Sequence, residues 1–136
     1  HAIGVAAPKV AILSSVESVN PELASSMDAA ALSKMVDRGQ IKGAIADGPL
    51  AFDNAISLVS ATTKGISSPV AGDPDVLMVP SLDVGNVLYK SLIYLGGGEC
   101  AGVVLGARVP IILTSRSDSQ RARIASCALA QVSLGA

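Results

Sequence analysis

The chain has 136 residues, half of them apolar, and a net charge of −1, which fits one domain-sized unit with enough length to bury a core. A near-neutral chain with no basic block interleaved with aromatics gives no electrostatic basis for binding nucleic acid, and its apolar runs are too short to span a bilayer. With Phe52, Tyr89 and Tyr94 as its only aromatics, the core must be built from Val, Ile, Leu and Ala.

In chain order, Lys9 to Ser14 reads as a buried strand. Asn20 and Pro21 then open a helix running to Gly39, with Ala29, Leu32, Met35 and Val36 at helical spacing and Gly39 as its stop. Gly43 to Asp47 is a second, weaker strand. Gly48-Pro49 turns from it into a helix spanning Leu50 to Lys64. Gly72 to Asp75 is a turn, Val76 to Pro80 a third strand, and Val84 to Leu95 a third helix broken by Gly96-Gly97-Gly98. Ala101 to Gly106 and Pro110 to Thr114 read as two further strands. The short connection Ala107-Arg108 between them is too brief for a helical crossover, so this pair is expected to be antiparallel. A last helix covers Ser119 to Val132. Strands alternating with amphipathic helices predict an α/β fold in three layers, α/β/α, around a mostly parallel sheet.

Cys100 and Cys127 lack CxxC spacing and read as two buried, reduced thiols, consistent with a cytoplasmic setting. The only histidine is His1, which argues against a Ser-His-Asp triad or a histidine-based metal site, so no metal site is expected. No GxGxxG and no GxxxxGK[ST] is present, and no secretory leader is recognisable. The chain opens on His1 without Met, so it is expected to be a piece of something longer.

Polar residues gather after the predicted strands: Ser14, Ser15 and Glu17; Asp47; Ser81 and Asp83; and then Ser115, Arg116 and Asp118. In open α/β sheets ligands sit beyond the carboxyl ends of strands, where helix N-termini offer free N–H groups to anions. Ser115 can donate a hydrogen bond, Arg116 can grip an anion through two parallel N–H groups, and Asp118 can accept a proton. Equally, Ser115 or Asp118 can cap the helix that follows. Gly85-Asn86 carries the same two readings: close backbone approach to a ligand, or a helix cap.

Five stretches, in order, resemble the phosphate acetyl/butyryltransferases. They are Pro8 to Ser14, Asp47-Gly48-Pro49-Leu50-Ala51-Phe52-Asp53, Ser68 to Gly72, Gly85-Asn86-Val87-Leu88-Tyr89-Lys90, and Pro110 to Arg116. The resemblance runs over essentially the whole chain. Ser15 to Asn20 and Thr114 to Asp118 look most like the butyryl branch, and like the transferase half of proteins that carry an enoyl-CoA hydratase domain ahead of it.

The resemblance implies an enzyme that moves an acetyl or short-chain acyl group between coenzyme A and inorganic phosphate. Coenzyme A is its substrate, and no cofactor is tightly bound. It also implies a homodimer with an isocitrate or isopropylmalate dehydrogenase-like fold, and coenzyme A between two domains. On that scheme residues 1–109 are the second domain, and 110–136 a strand and helix returning to a first domain whose N-terminal part is absent, so the fragment alone would be inactive. Ser115 and Arg116 match the family's catalytic Ser-Arg, and Lys90 a lysine that contacts coenzyme A. Gly85 and Asn86 become ligand-adjacent. The acetyl branch places its base seven residues after the serine, where Ala122 stands here, which leaves Asp118 as the nearest substitute. The alternatives are a non-catalytic domain for coenzyme A binding or dimerisation, and a metal- and NAD-dependent dehydrogenase on the same scaffold.

Overall fold

The computed structural model describes residues 1–135, which divide into two compact units: residues 6–85, and residues 1–5 with 86–135. The first unit holds β1 (Lys9–Leu13), α1 (Ala24–Asp37), β2 (Ile45–Leu50), α2 (Phe52–Ile56), α3 (Leu58–Thr63) and β3 (Val76–Met78). Its sheet is all parallel with the order β2-β1-β3. Because side chains alternate across a strand, β1 feeds two separate cores. Ala11 and Leu13 join Leu50, Ala55, Ala61, Val70 and Ala71 under α2 and α3. Ile12 points the other way, to Ala46 and to Ala29 of α1, with Leu32 and Val36 packed alongside. This is the expected α/β/α layering.

The helix α1 starts later than Asn20-Pro21 predicts. Ser26, fully buried, accepts from the Asn20 N–H at 2.7 Å and donates to the Ser18 carbonyl at 3.0 Å. Asn20 Oδ1 accepts from the Glu22 N–H at 3.0 Å, so this stretch forms a turn before the helix. At its other end Gly39, at φ +70°, is the expected stop. The Gly39 N–H donates to the Val36 carbonyl and the Gln40 N–H to that of Met35, the two bonds of a Schellman closure.

Two predicted boundaries are corrected. The strand β2 does not end at Asp47 but continues through Gly48-Pro49 to Leu50, because Leu50 pairs with Leu13 and is buried. The single helix from Leu50 to Lys64 is two short ones. Ser57 sits between them in an extended conformation, its Oγ accepting from the Ser60 N–H at 3.3 Å to cap α3.

Lys64 lies 3.1 Å from Asp53 and 3.3 Å from Glu17, and Ser60 donates to Asp53 at 2.6 Å. The Ser60 hydroxyl first, and then Lys64, hold the Asp53 carboxyl below its ordinary value. A depressed carboxylate adds stability that is present above its unfolded pKa and is lost as pH falls through the folded one. Asp53→Asn should therefore show a shallower fall in Tm below about pH 4 than the wild type. Superimposable Tm–pH curves would show that Asp53 gains nothing from its partners.

The second unit contains most of α4 (Leu82–Tyr94), which starts in the first unit, and α5 (Gln120–Leu134). Ser81 Oγ accepts from the Val84 N–H at the start of α4, and Gly97, at φ +65°, follows its end. The two predicted strands between these helices are not formed. A single antiparallel bridge joins Val104 to Ile111, with N–H···O distances of 2.8 and 3.4 Å. Gly102, Gly106 at φ +94° and Pro110 interrupt the run, and Leu105 and Leu113 stay 75% and 76% exposed. Without a neighbour to bury these side chains, a short apolar run does not set into strand. No helix among the described residues is long and apolar enough to cross a membrane.

Candidate active site

Ser115, Arg116 and Asp118 lie in the loop that leads from the Val104–Ile111 bridge into α5, and not at the end of a regular strand. The cap of α5 is Ser119, whose Oγ accepts from the Ala122 N–H at 3.1 Å. Capping is thus done by a residue other than Ser115 or Asp118. Those two close a turn of their own: the Ser115 N–H donates to Asp118 Oδ2 at 2.7 Å, and the Asp118 N–H donates to the Ser115 carbonyl at 3.1 Å.

The turn presents its side chains separately. Ser115 is half-buried, and its Oγ lies 3.0 Å from Ser117 Oγ. Arg116 is exposed, and among the described residues its guanidinium meets no carboxylate. Its carbonyl accepts from Arg123 Nη2 of α5 at 3.1 Å, which pins the backbone beneath the free side chain. Asp118 is half-buried and lines a cleft of about 360 Å³, together with Ile93, Cys100, Ser117, Ala122 and Ala125. Ala122 lines the same cleft as Asp118. Glu99 and Arg121, which also line it, form an exposed ion pair at 3.0 Å.

The three α4 residues have different surroundings. Gly85 lies within the first unit, and a Cβ there would come 3.0 Å from Val79 Cγ2, so the glycine lets α4 start close to the end of β3. Asn86 is exposed and Lys90 half-buried. They are one turn apart on α4, hence on one face, and among the described residues neither side chain has a hydrogen-bond partner.

Sequence reasoning missed Tyr89 and Cys100. The Tyr89 hydroxyl donates to Asp118 Oδ1 at 3.2 Å and lies 3.0 Å from Cys100 Sγ. Contact with Cys100, burial and the Asp118 charge push the phenol well above its ordinary pKa. The available signal is the place of Tyr89 inside the Gly85–Lys90 stretch, one residue before Lys90. The expectation of two buried thiols also needs correcting: both are free, but Cys100 is half-buried and Cys127 exposed, on the face of α5 that also carries the exposed Arg123, Ile124 and Gln131.

The family described as phosphate acetyl/butaryl transferase matches residues 1–131. The chain is 58% identical over 129 residues to a phosphate acetyltransferase of Rhizobium meliloti, covering 95% of this chain and 41% of that protein. It is 53% identical over 130 residues to a probable phosphate butyryltransferase of Bacillus subtilis, covering 96% and 44%. Among solved structures, a branched-chain phosphotransacylase from Enterococcus faecalis superposes with a TM-score of 0.84 at 39% identity, covering 96% of this chain and 47% of that one. The chain spans less than half the length of these relatives.

Proposed function

Because this chain belongs to the phosphate acetyl/butaryl transferase family, we propose that the intact protein containing it transfers a short acyl group between coenzyme A and inorganic phosphate. The observation that carries this reading is the turn Ser115–Asp118, which gathers a hydroxyl, a guanidinium that meets no carboxylate among the described residues, and a carboxylate in four residues beside a cleft. Relatives named for both acetyl and butyryl groups support a short-chain acyl substrate.

In the direction of acyl-CoA synthesis, Asp118 takes the proton of the coenzyme A thiol, and the thiolate attacks the carbonyl carbon of the acyl phosphate. Charge builds on the carbonyl oxygen, where the Ser115 hydroxyl donates. Collapse of the tetrahedral species breaks the carbon–oxygen bond to phosphate, and Arg116 takes the departing anion through charge-assisted N–H bonds. Lys90 and Asn86, sharing a face of α4, contact coenzyme A, with Lys90 on its phosphates. Gly85 is ligand-adjacent through its backbone.

For the intact protein, the reading extends to a cytoplasmic homodimer of two dehydrogenase-like α/β domains. There 1–109 belongs to the second domain and 110–136 returns to the first. The exposed apolar side chains of Leu105 and Leu113 support a covering partner for this region.

The test is formation of acyl phosphate from acetyl-CoA or butyryl-CoA and phosphate by the intact protein. Ser115→Ala should lower kcat by about a hundredfold, the usual loss for one oxyanion donor, with little change in KM for coenzyme A. No turnover with any short acyl group would overturn the assignment. Equal losses in kcat and affinity would recast Ser115 as a ground-state contact.

A further inference from the structure

We propose that Tyr89 is a positioning residue that orients the Asp118 carboxylate, with Cys100 as the outer member of the same hydrogen-bonded line. The inference rests on the transfer reaction proposed above. Both Asp118 oxygens are already engaged by fixed donors: Oδ2 by the Ser115 N–H at 2.7 Å, and Oδ1 by the Tyr89 hydroxyl at 3.2 Å. The first donor belongs to the turn itself and fixes where the carboxylate sits. The second comes from α4 and fixes how it is rotated, since a carboxylate held at one oxygen alone can still swing about its last bond.

The hydroxyl has one proton, and an ionised carboxylate can only accept. With that proton given to Asp118, the contact between Tyr89 and Cys100 at 3.0 Å must be a thiol S–H donating to the phenol oxygen. Cys100 thereby biases the phenol proton toward Asp118 and takes no part in the chemistry. Cys100 and Asp118, the two ends of this line, both line the cleft. A base prepared in this way has one orientation before substrate arrives, which acts on kcat and not on coenzyme A affinity.

The experiment compares Tyr89→Phe, Asp118→Asn and the double variant in the intact protein, with circular dichroism to confirm the fold. Tyr89→Phe should lose about tenfold or more in kcat, as for one charge-assisted hydrogen bond, at unchanged KM for coenzyme A. In the Asp118→Asn background the same change should cost nothing further, because the group through which Tyr89 acts is gone. Multiplying losses, a loss confined to KM, or wild-type kcat in Tyr89→Phe would each overturn the inference.

A second arm needs no turnover. Alkylation of Cys100 by iodoacetamide, followed on its own peptide by mass spectrometry, should be several-fold faster with Tyr89→Phe, because the sulfur loses its cap. Unchanged alkylation overturns the line of contacts. A wild-type protein without acyl exchange but with this acceleration would sink the transferase reading while leaving the contacts in place.

Discussion

Arg116→Ala in the intact protein should reduce acyl transfer by on the order of 10³-fold while leaving the Tm within a degree or two. Two features set this expectation. The guanidinium is exposed and meets no carboxylate among the described residues, so its removal leaves no buried partner stranded. The backbone of the turn is held independently, by Arg123 Nη2 on the Arg116 carbonyl and by the reciprocal Ser115–Asp118 bonds, so the loop survives loss of the side chain. What disappears is the planar pair of donors for phosphate. Arg116→Lys should recover only part of the rate, since an ammonium supplies charge without the fork. The check is the rate of acyl-phosphate formation as phosphate is varied. Activity within a few-fold of wild type in Arg116→Ala would remove Arg116 from the mechanism.

The largest effect on stability is expected at Gly72. It sits at φ +88°, and a Cβ there would lie 2.6 Å from Leu58 Cα and 2.7 Å from Leu58 N. These are backbone atoms at the start of α3 and cannot rotate aside. The neighbours Val70 and Ala71 are buried in the core beneath α2 and α3, and the Gly72 N–H donates to the Ala55 carbonyl at 2.9 Å. Gly72→Ala therefore combines a left-handed backbone penalty of about 1–2 kcal/mol with overpacking of about 1–3 kcal/mol. The Tm should drop by roughly 10 °C in thermal melting followed by circular dichroism. A Tm within about 2 °C of wild type would mean that α3 moves aside freely.

The parts of this fold legible in the sequence are those set by local periodicity. β1 is an unbroken apolar run buried on both faces, Ala29, Leu32 and Val36 mark the buried stripe of α1, and Gly39 closes that helix by a mechanism that needs only a residue tolerant of positive φ. What was illegible depended on tertiary partners. Pro49 reads locally as a break, yet the pairing of Leu50 with Leu13 carries β2 past it. Ser57 gives a weak signal within an apolar stretch, and only its bond to the Ser60 N–H divides the helix. Residues 101–114 carry strand-like apolar runs but only one bridge, because β structure needs a neighbour that these residues do not supply to each other. At the site, the residue types of Ser115, Arg116 and Asp118 were legible. The donor from α4 was not, since Tyr89 and Asp118 are 29 residues apart and no spacing rule links a phenol to a carboxylate over that distance.

The buried side chains of the two units differ in kind. In residues 6–85 they include Ile12, Leu13, Leu50 and Val70, whereas in the other unit the buried residues among those described are Ala122, Ser126 and Ala130, all small. Since cohesive strength follows the apolar area withdrawn from water, the thermodynamic weight of the chain falls on its first two-thirds. The stretch that carries the proposed chemistry is thus held chiefly by discrete polar ties, such as Arg123 on the Arg116 carbonyl and the Gly102 N–H on Ser126 Oγ. Its local opening costs less than global unfolding, so small perturbations will register there first.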